Sequence, residues 1–193
     1  MKETEEKILK AATKLFSEYG FNGVSTKKIA EVAGVNEVTI FRHFTNKSNL
    51  LQAVIKHFAF EGNIIEKVKR DITGDVEKDL RIFAEDYYMF LKNNIKMYKI
   101  QMREISDDGE RFTNSVEYTN FMKSYLEERV ASKEFTGDPS YISKAITAMI
   151  MGIFTIQVYS PDLFEGIPNR KLICEYIDKI VKLYVVKERT LTC

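Results

Sequence analysis

The sequence predicts an all-α protein, with a three-helix unit at the N-terminus and a longer helical bundle after it. Three observations predict it. Apolar residues recur with the helical period of about 3.6 residues through nearly every segment. Only nine glycines and three prolines occur in 193 residues, too few for a turn-rich β fold. No alternating apolar–polar run exceeds a few residues, and neither an internal repeat nor a low-complexity tract is present.

The first helix is expected from Thr4, a capping hydroxyl, with Glu5 and Glu6 in the first turn where the positive helix end favours carboxylates. Ile8, Ala12, Leu15, Phe16 and Tyr19 form its apolar stripe, and Gly20 ends it. After FNGV, Ser25 and Thr26 supply a second cap, and KKIAEVA forms a short helix closed by Gly34. A third helix falls within GVNEVTIFRHF (34–44); a longer fourth carries Leu50, Leu51, Val54, Ile55 and Phe58 and is expected to belong to both parts. Further helices are predicted at 76–92, 95–105, 109–133, 140–159 and 170–188, bounded by Gly74, DDG (107–109), GDP (137–139) and SPDLFEGIPN (160–169). The most apolar run, 145–159, has 15 residues against the roughly 20 a bilayer span needs, and reads as a buried helix of a soluble protein.

Composition excludes several classes. The chain is 45% hydrophobic and 30% charged, as a foldable globular protein is, and its formal charge of +1 points to no polyanionic partner. That charge is uneven: residues 1–58 carry +3 and residues 59–193 carry −2. Cys174 and Cys193 have no companions at metal-ligand spacing, and no signal-peptide pattern opens the chain. Free thiols, a cytoplasmic setting, no metal, no cofactor and no membrane partner are therefore expected. His43 and His57 are the only histidines, and no metalloprotease motif, nucleophile elbow or phosphate-binding glycine loop occurs. Glu85–Asp86 and Asp107–Asp108 are adjacent pairs, which diverge on a helix, so no catalytic residue is assigned.

The third helix carries the chemistry. On a wheel of about 100° per residue, Ile40, Phe41 and Phe44 fall together, and Val38, Thr39, Arg42 and His43 fall opposite. Three neighbouring features favour nucleic-acid contact over a merely solvated face. The preceding helix is short and joins through AGVN, with Gly34 at the left-handed position, as in a helix-turn-helix. Lys27, Lys28 and Lys47 open helices, where the macrodipole disfavours a cation by roughly 0.3–1 kcal/mol and a bound phosphate reverses the sign. The outer face offers groups that meet guanine edges, phosphates and thymine methyls.

The ordered set A-x-x-L-F-x-x-x-G, S-T-x-x-I-A, A-G-V, T-I-F-x-H-F and N-K-x-x-L-L, within ILKAATKLFSEYGFNGVSTKKIAEVAGVNEVTIFRHFTNKSNLLQAV, closely resembles the DNA-binding domain of TetR-family transcriptional regulators. The resemblance covers about a quarter of the chain. It implies a DNA-binding domain over 1–48, including the start of the fourth helix, and a ligand-binding and dimerisation domain over 49–193. It implies that Thr26 caps the second helix against phosphate, with Lys27 beside it on phosphate or a base edge. Asn36, Glu37, Val38 and Thr39 match the start of the recognition helix; Arg42 reads a base or grips the backbone; His43 bonds a phosphate; Lys47 opens the fourth helix. Glu37 is of the type that accepts from a cytosine amino group. Phe41 stands in the DNA-facing set where relatives often carry tyrosine, and Val38 stands where a small residue or proline is frequent.

In the C-terminal part, Phe83, Tyr87, Phe90, Met97, Met102, Phe112, Phe121, Tyr125 and Phe154 suit an adaptable core. The resemblance implies a pocket among the middle helices for an apolar or aromatic effector, oriented by Tyr87, Gln101 or Arg103. It also implies a homodimer through the last two helices, with Ala145, Ala148 and Gly152 allowing close approach and Ile173, Ile177, Ile180 and Tyr184 on the final apolar stripe. The expected function is a repressor that binds a palindromic double-stranded operator and is released by a small molecule. A helical-bundle enzyme or carrier for a lipophilic molecule, and a protein-interaction or nucleoid factor without a pocket, are the alternatives.

Overall fold

The computed structural model describes residues 3–59, 64–103 and 113–186. In chain order these form α1 (Glu3–Tyr19), α2 (Thr26–Ala33), α3 (Glu37–Phe44), α4 (Lys47–Ala59), α5 (Ile64–Asp71), α6 (Val76–Asn93), α7 (Ile95–Arg103), α8 (Thr113–Ala131), α9 (Pro139–Tyr159), a 3-10 turn (Pro161–Phe164) and α10 (Asn169–Tyr184). The all-α expectation holds: among the described residues the only β feature is an isolated bridge between Phe135 and Val185. Phe112, Cys193 and the DDG at 107–109 lie outside the described residues.

Packing divides the chain into two compact units, residues 1–62 with 94–112, and residues 63–93 with 113–193. A boundary at residue 48 would split α4, whose Leu50 and Val54 are completely buried in the first unit's core. That core also holds Ile8, Ala12, Phe16, Ile29, Ile40 and, from α7, Ile100. α1 begins before Thr4, which is therefore helical and not a cap; Glu3–Lys7 and Glu6–Lys10 pairs, each 2.6 Å, line its outer side. Tyr19, expected on the apolar stripe, is 64% exposed. It lies in the last turn, where the chain reverses at Gly20 (φ 74°) and Phe21 folds back to within 5.7 Å of the Phe16 ring.

In the second unit, α5 is an addition to the sequence expectation. Its apolar signal is only Ile64 and Val68, buried one turn apart among charges. Asp75 caps α6 by accepting from the Glu77 and Lys78 amides at 3.0 and 3.2 Å, and Asp138 caps α9 by accepting from the Tyr141 amide, with Pro139 in the first turn. α9 has 21 residues and by length and composition alone could cross a bilayer. Here Ile142, Ile146, Ile150, Ile153 and Phe154 bury one side of it, and it packs chiefly against α8 and α6. The Arg81–Asp178 and Arg170–Glu85 ion pairs hold α10 on α6, the second at 3.0 Å.

Candidate nucleic-acid interface

Residues 25–47 form a helix-turn-helix in which each helix start is set by its own side chain. Ser25, in extended conformation, caps α2 by accepting from the Lys28 amide at 3.1 Å. Thr26 is therefore the first helical residue and not the cap; its hydroxyl instead donates to Glu37 Oε1 at 2.6 Å. Gly34 takes the left-handed conformation (φ 68°, ψ 35°), and its amide closes onto the Ala30 and Glu31 carbonyls. Asn36 then caps α3, accepting from the Val38 amide at 2.9 Å. Glu37 follows at the first position, where a carboxylate suits the helix end.

α3 buries a single narrow stripe: Ile40 is 0% exposed and Phe44 6%. Phe41, expected with them, is 45% exposed, and Val38 is 71% exposed. A helix of eight residues has room inward only for one i, i+4 pair, and Phe41 is rotated about 100° from Ile40. Arg42 is exposed, Thr39 and His43 are half-buried, and Arg42 and His43 occupy the last turn, where the helix dipole favours cations. Thr45 ends the helix at φ 66°, and Asn46 starts α4 by accepting from the Asn49 amide at 2.8 Å.

The three lysines at helix starts differ in their partners. Lys28 pairs with Glu31 at 2.9 Å. The Lys47 ammonium donates to the Val24 carbonyl at 2.8 Å and lies 4.2 Å from the centre of the Phe21 ring, so intrachain contacts offset its unfavourable dipole position. Lys27 is exposed and forms no ion pair among the described residues. Only Lys27 keeps the full force of the sequence argument.

The residues expected in a pocket are not all brought together. Phe83, Tyr87, Tyr125 and Phe154 are buried in the second unit, with Phe90 and Phe121 half-buried. Tyr118, missed by the sequence reading, belongs to this cluster: it stacks on Tyr87 at 4.8 Å and donates to the Phe83 carbonyl at 2.6 Å. Its spacing on α8 from Phe121 and Tyr125 was the available signal. Tyr87 donates to Ser115 Oγ at 2.7 Å. Tyr125 donates to Asp79 Oδ2 at 2.7 Å. Burial pushes the Tyr118 phenol well up from its ordinary range, with the Asp86 carboxylate adding to it; burial, then the Asp79 hydrogen bond, pushes Tyr125 up. Asp86 pairs with Lys67 through one oxygen, while its other oxygen is buried with no hydrogen bond among the described residues.

Gln101, Met102 and Arg103 lie instead on α7 in the first unit. Arg103 donates to the Ser17 and Glu18 carbonyls at 2.9 Å each, satisfying the end of α1, and Met102 is 40% exposed. Of the expected dimer residues, Ile173 and Ile177 are 1% and 0% exposed within the single chain, because that stripe of α10 packs with α6. The opposite face carries Tyr176 and Leu183, 45% and 70% exposed, beside half-buried Ile180; Tyr184 is half-buried and Phe135 packs on it. On α9, Ala148 and Gly152 are exposed and Ala145 is half-buried. Cys174 is a free, half-buried thiol, and no group of three potential metal ligands occurs among the described residues.

Residues 8–54 match the family described as bacterial regulatory proteins, tetR family. An uncharacterised HTH-type transcriptional regulator of Bacillus subtilis, YvkB, is 29% identical over 179 residues, covering 90% of this chain and 93% of its own. Two solved structures share the fold. One is SmeT in complex with triclosan, at a TM-score of 0.71 and 20% identity, covering 97% of this chain and 94% of that one. The other is AibR in complex with isovaleryl coenzyme A and operator DNA, at a TM-score of 0.69 and 19% identity, covering 92% and 98%.

Proposed function

The chain belongs to the TetR family of transcriptional regulators, whose members bind DNA and are not enzymes, and from that premise we propose that it is a repressor: a homodimer that grips a palindromic operator and is released by a small lipophilic or aromatic effector. The observation that carries this reading is the outward face of α3. Val38, Phe41 and Arg42 are exposed on it although two of the three are large apolar or aromatic side chains, and Lys27 stands at the start of α2. A helix that enters a major groove presents such a face: the guanidinium meets guanine, apolar groups meet thymine methyls, and flanking cations meet phosphate. Arg42 takes a base edge, Val38, Thr39 and Phe41 line the groove floor, and Lys27, His43 and the remaining N–H groups of Lys47 contact the backbone. Asn36 holds the helix start in register.

In this reading residues 1–48 carry DNA recognition, α4 and α7 complete the core of that unit, and the second unit carries effector binding and dimerisation, in the cytoplasm. The exposed small residues of α9, with Tyr176, Ile180 and Leu183 of α10, form the face on which a second copy packs. The effector is a molecule with an aromatic or acyl body, met by the Tyr87–Tyr118–Phe83 cluster, and a hydrogen-bond donor, met by the unsatisfied Asp86 oxygen. SmeT's triclosan and AibR's isovaleryl coenzyme A are ligands of these two classes. Thermal melts across a panel of phenols and acyl thioesters test the sensor. A ligand at 100 times its dissociation constant stabilises by about 2.7 kcal/mol and must also lower affinity for DNA; a panel that moves neither quantity removes the sensor from the proposal.

A further inference from the structure

Glu37 is out of place on a surface that faces a polyanion, and its geometry gives it a task. It occupies the first position of α3, and Thr26, at the first position of α2, donates to its Oε1 at 2.6 Å. The starts of two helices and one hydroxyl thus fix a single carboxylate at the leading edge of the helix assigned to the groove. α2 does not need Thr26 as its cap, since Ser25 fills that role.

We propose that Glu37 is a specificity-determining residue that selects cytosine, and that Thr26 is its positioning residue and not a phosphate ligand. A carboxylate only accepts hydrogen bonds. In the major groove guanine presents two acceptors and thymine one, and all three repel it. Adenine offers an amino donor beside the N7 acceptor, whereas cytosine offers its amino donor with no acceptor adjacent. Repulsion between Glu37 and phosphates acts on every sequence, and only a cytosine under Oε2 offsets it. Glu37 therefore weakens random binding and sharpens selected binding, and Thr26 makes the discrimination steep by removing the rotamer freedom that would let the carboxylate turn away. This inference rests on the operator-binding reading above.

The test is enrichment of a random-sequence duplex library on the full-length chain, repeated with Glu37→Gln, Thr26→Val and Thr26→Ser. The parent is expected to enrich a motif with cytosine at one position in each half-site. Glu37→Gln should replace that cytosine with adenine, because an amide pairs with N6 and N7 together, and should bind random duplex more tightly than the parent. Thr26→Val should relax the same position, cutting the preference for its base by roughly five- to 150-fold at most, and Thr26→Ser should restore it. The base is read only from protein that binds, so partial unfolding of a variant cannot imitate a switch. A Glu37→Gln motif identical to the parent's overturns this inference and leaves the regulator reading standing. A parent that enriches no motif at all overturns the regulator reading, and this inference with it.

Discussion

Asp79 is 0% exposed and accepts from the Thr73 amide at 2.7 Å, the Thr73 hydroxyl at 2.9 Å, the Gly74 amide at 2.8 Å and the Tyr125 phenol at 2.7 Å. One carboxylate thereby ties the loop before α6 to the aromatic cluster of α8. Asp79→Ala strands several buried donors and should cost about 3 kcal/mol or more, read as a lower urea midpoint at unchanged m-value. On the DNA face the two basic side chains should behave differently. Arg42→Ala should relax sequence preference and leave the melting temperature in place, because Arg42 is exposed and forms no ion pair among the described residues. Lys47→Ala should weaken binding to all sequences, lower the salt slope by about one, and also destabilise by about 1–2 kcal/mol through loss of the Val24 and Phe21 contacts. At this scale sequence resolved Ile40 and Phe44 but placed Phe41 with them, because a helical wheel does not show how narrow the buried stripe of a short helix is. It could not tell Ser25 from Thr26 as the cap, or see the Thr26–Glu37 bond, because both depend on backbone geometry across a turn.

In the N-terminal unit several boundaries carry chemistry visible in sequence: Gly20 and Gly34 end α1 and α2, and the Ser25–Thr26 pair marks the start of α2 to within one residue. That is why these elements were legible. α5 was not, since eight residues with two buried apolar positions give too little periodicity to rise above a charged background. The stripe of α10 was visible, but not which neighbour covers it; the Arg81 and Arg170 ion pairs to Asp178 and Glu85 turn Ile173 and Ile177 onto α6. The α6–α8 contact also sets a pH response. Tyr118 and Tyr125 have folded values raised from the ordinary 10.0, so the folded state retains protons that the unfolded chain releases. Their contribution is complete below about pH 10 and is lost as pH rises above it. Stability should fall steeply on the alkaline side, and Tyr118→Phe should flatten that fall; an unchanged slope would remove Tyr118 from this account.

For the molecule as a whole, the proposed recognition of a palindrome requires two copies, and Gly152 offers a probe of the proposed interface. A side chain added there meets nothing within 4 Å in the single chain. Gly152→Lys should therefore leave the monomer at least as stable, since glycine is the poorer helix former, while light scattering shows the dimer lost and operator binding lost with it. A stable dimer in that variant would move the interface elsewhere. The all-helical architecture and the helix-turn-helix could be read from spacing and composition, whereas an effector site could not: aromatic residues look alike in sequence whether they fill a core or line a binding site. Whether the exposed face of α3 reads a specific DNA sequence is decided by titrating the chain against its enriched duplex and a scrambled duplex at two salt concentrations. The enriched duplex is expected to bind roughly 10³-fold tighter or more, with both affinities falling as salt rises. Equal binding to the two duplexes at both salt concentrations, or binding to neither, would contradict sequence-specific reading by α3.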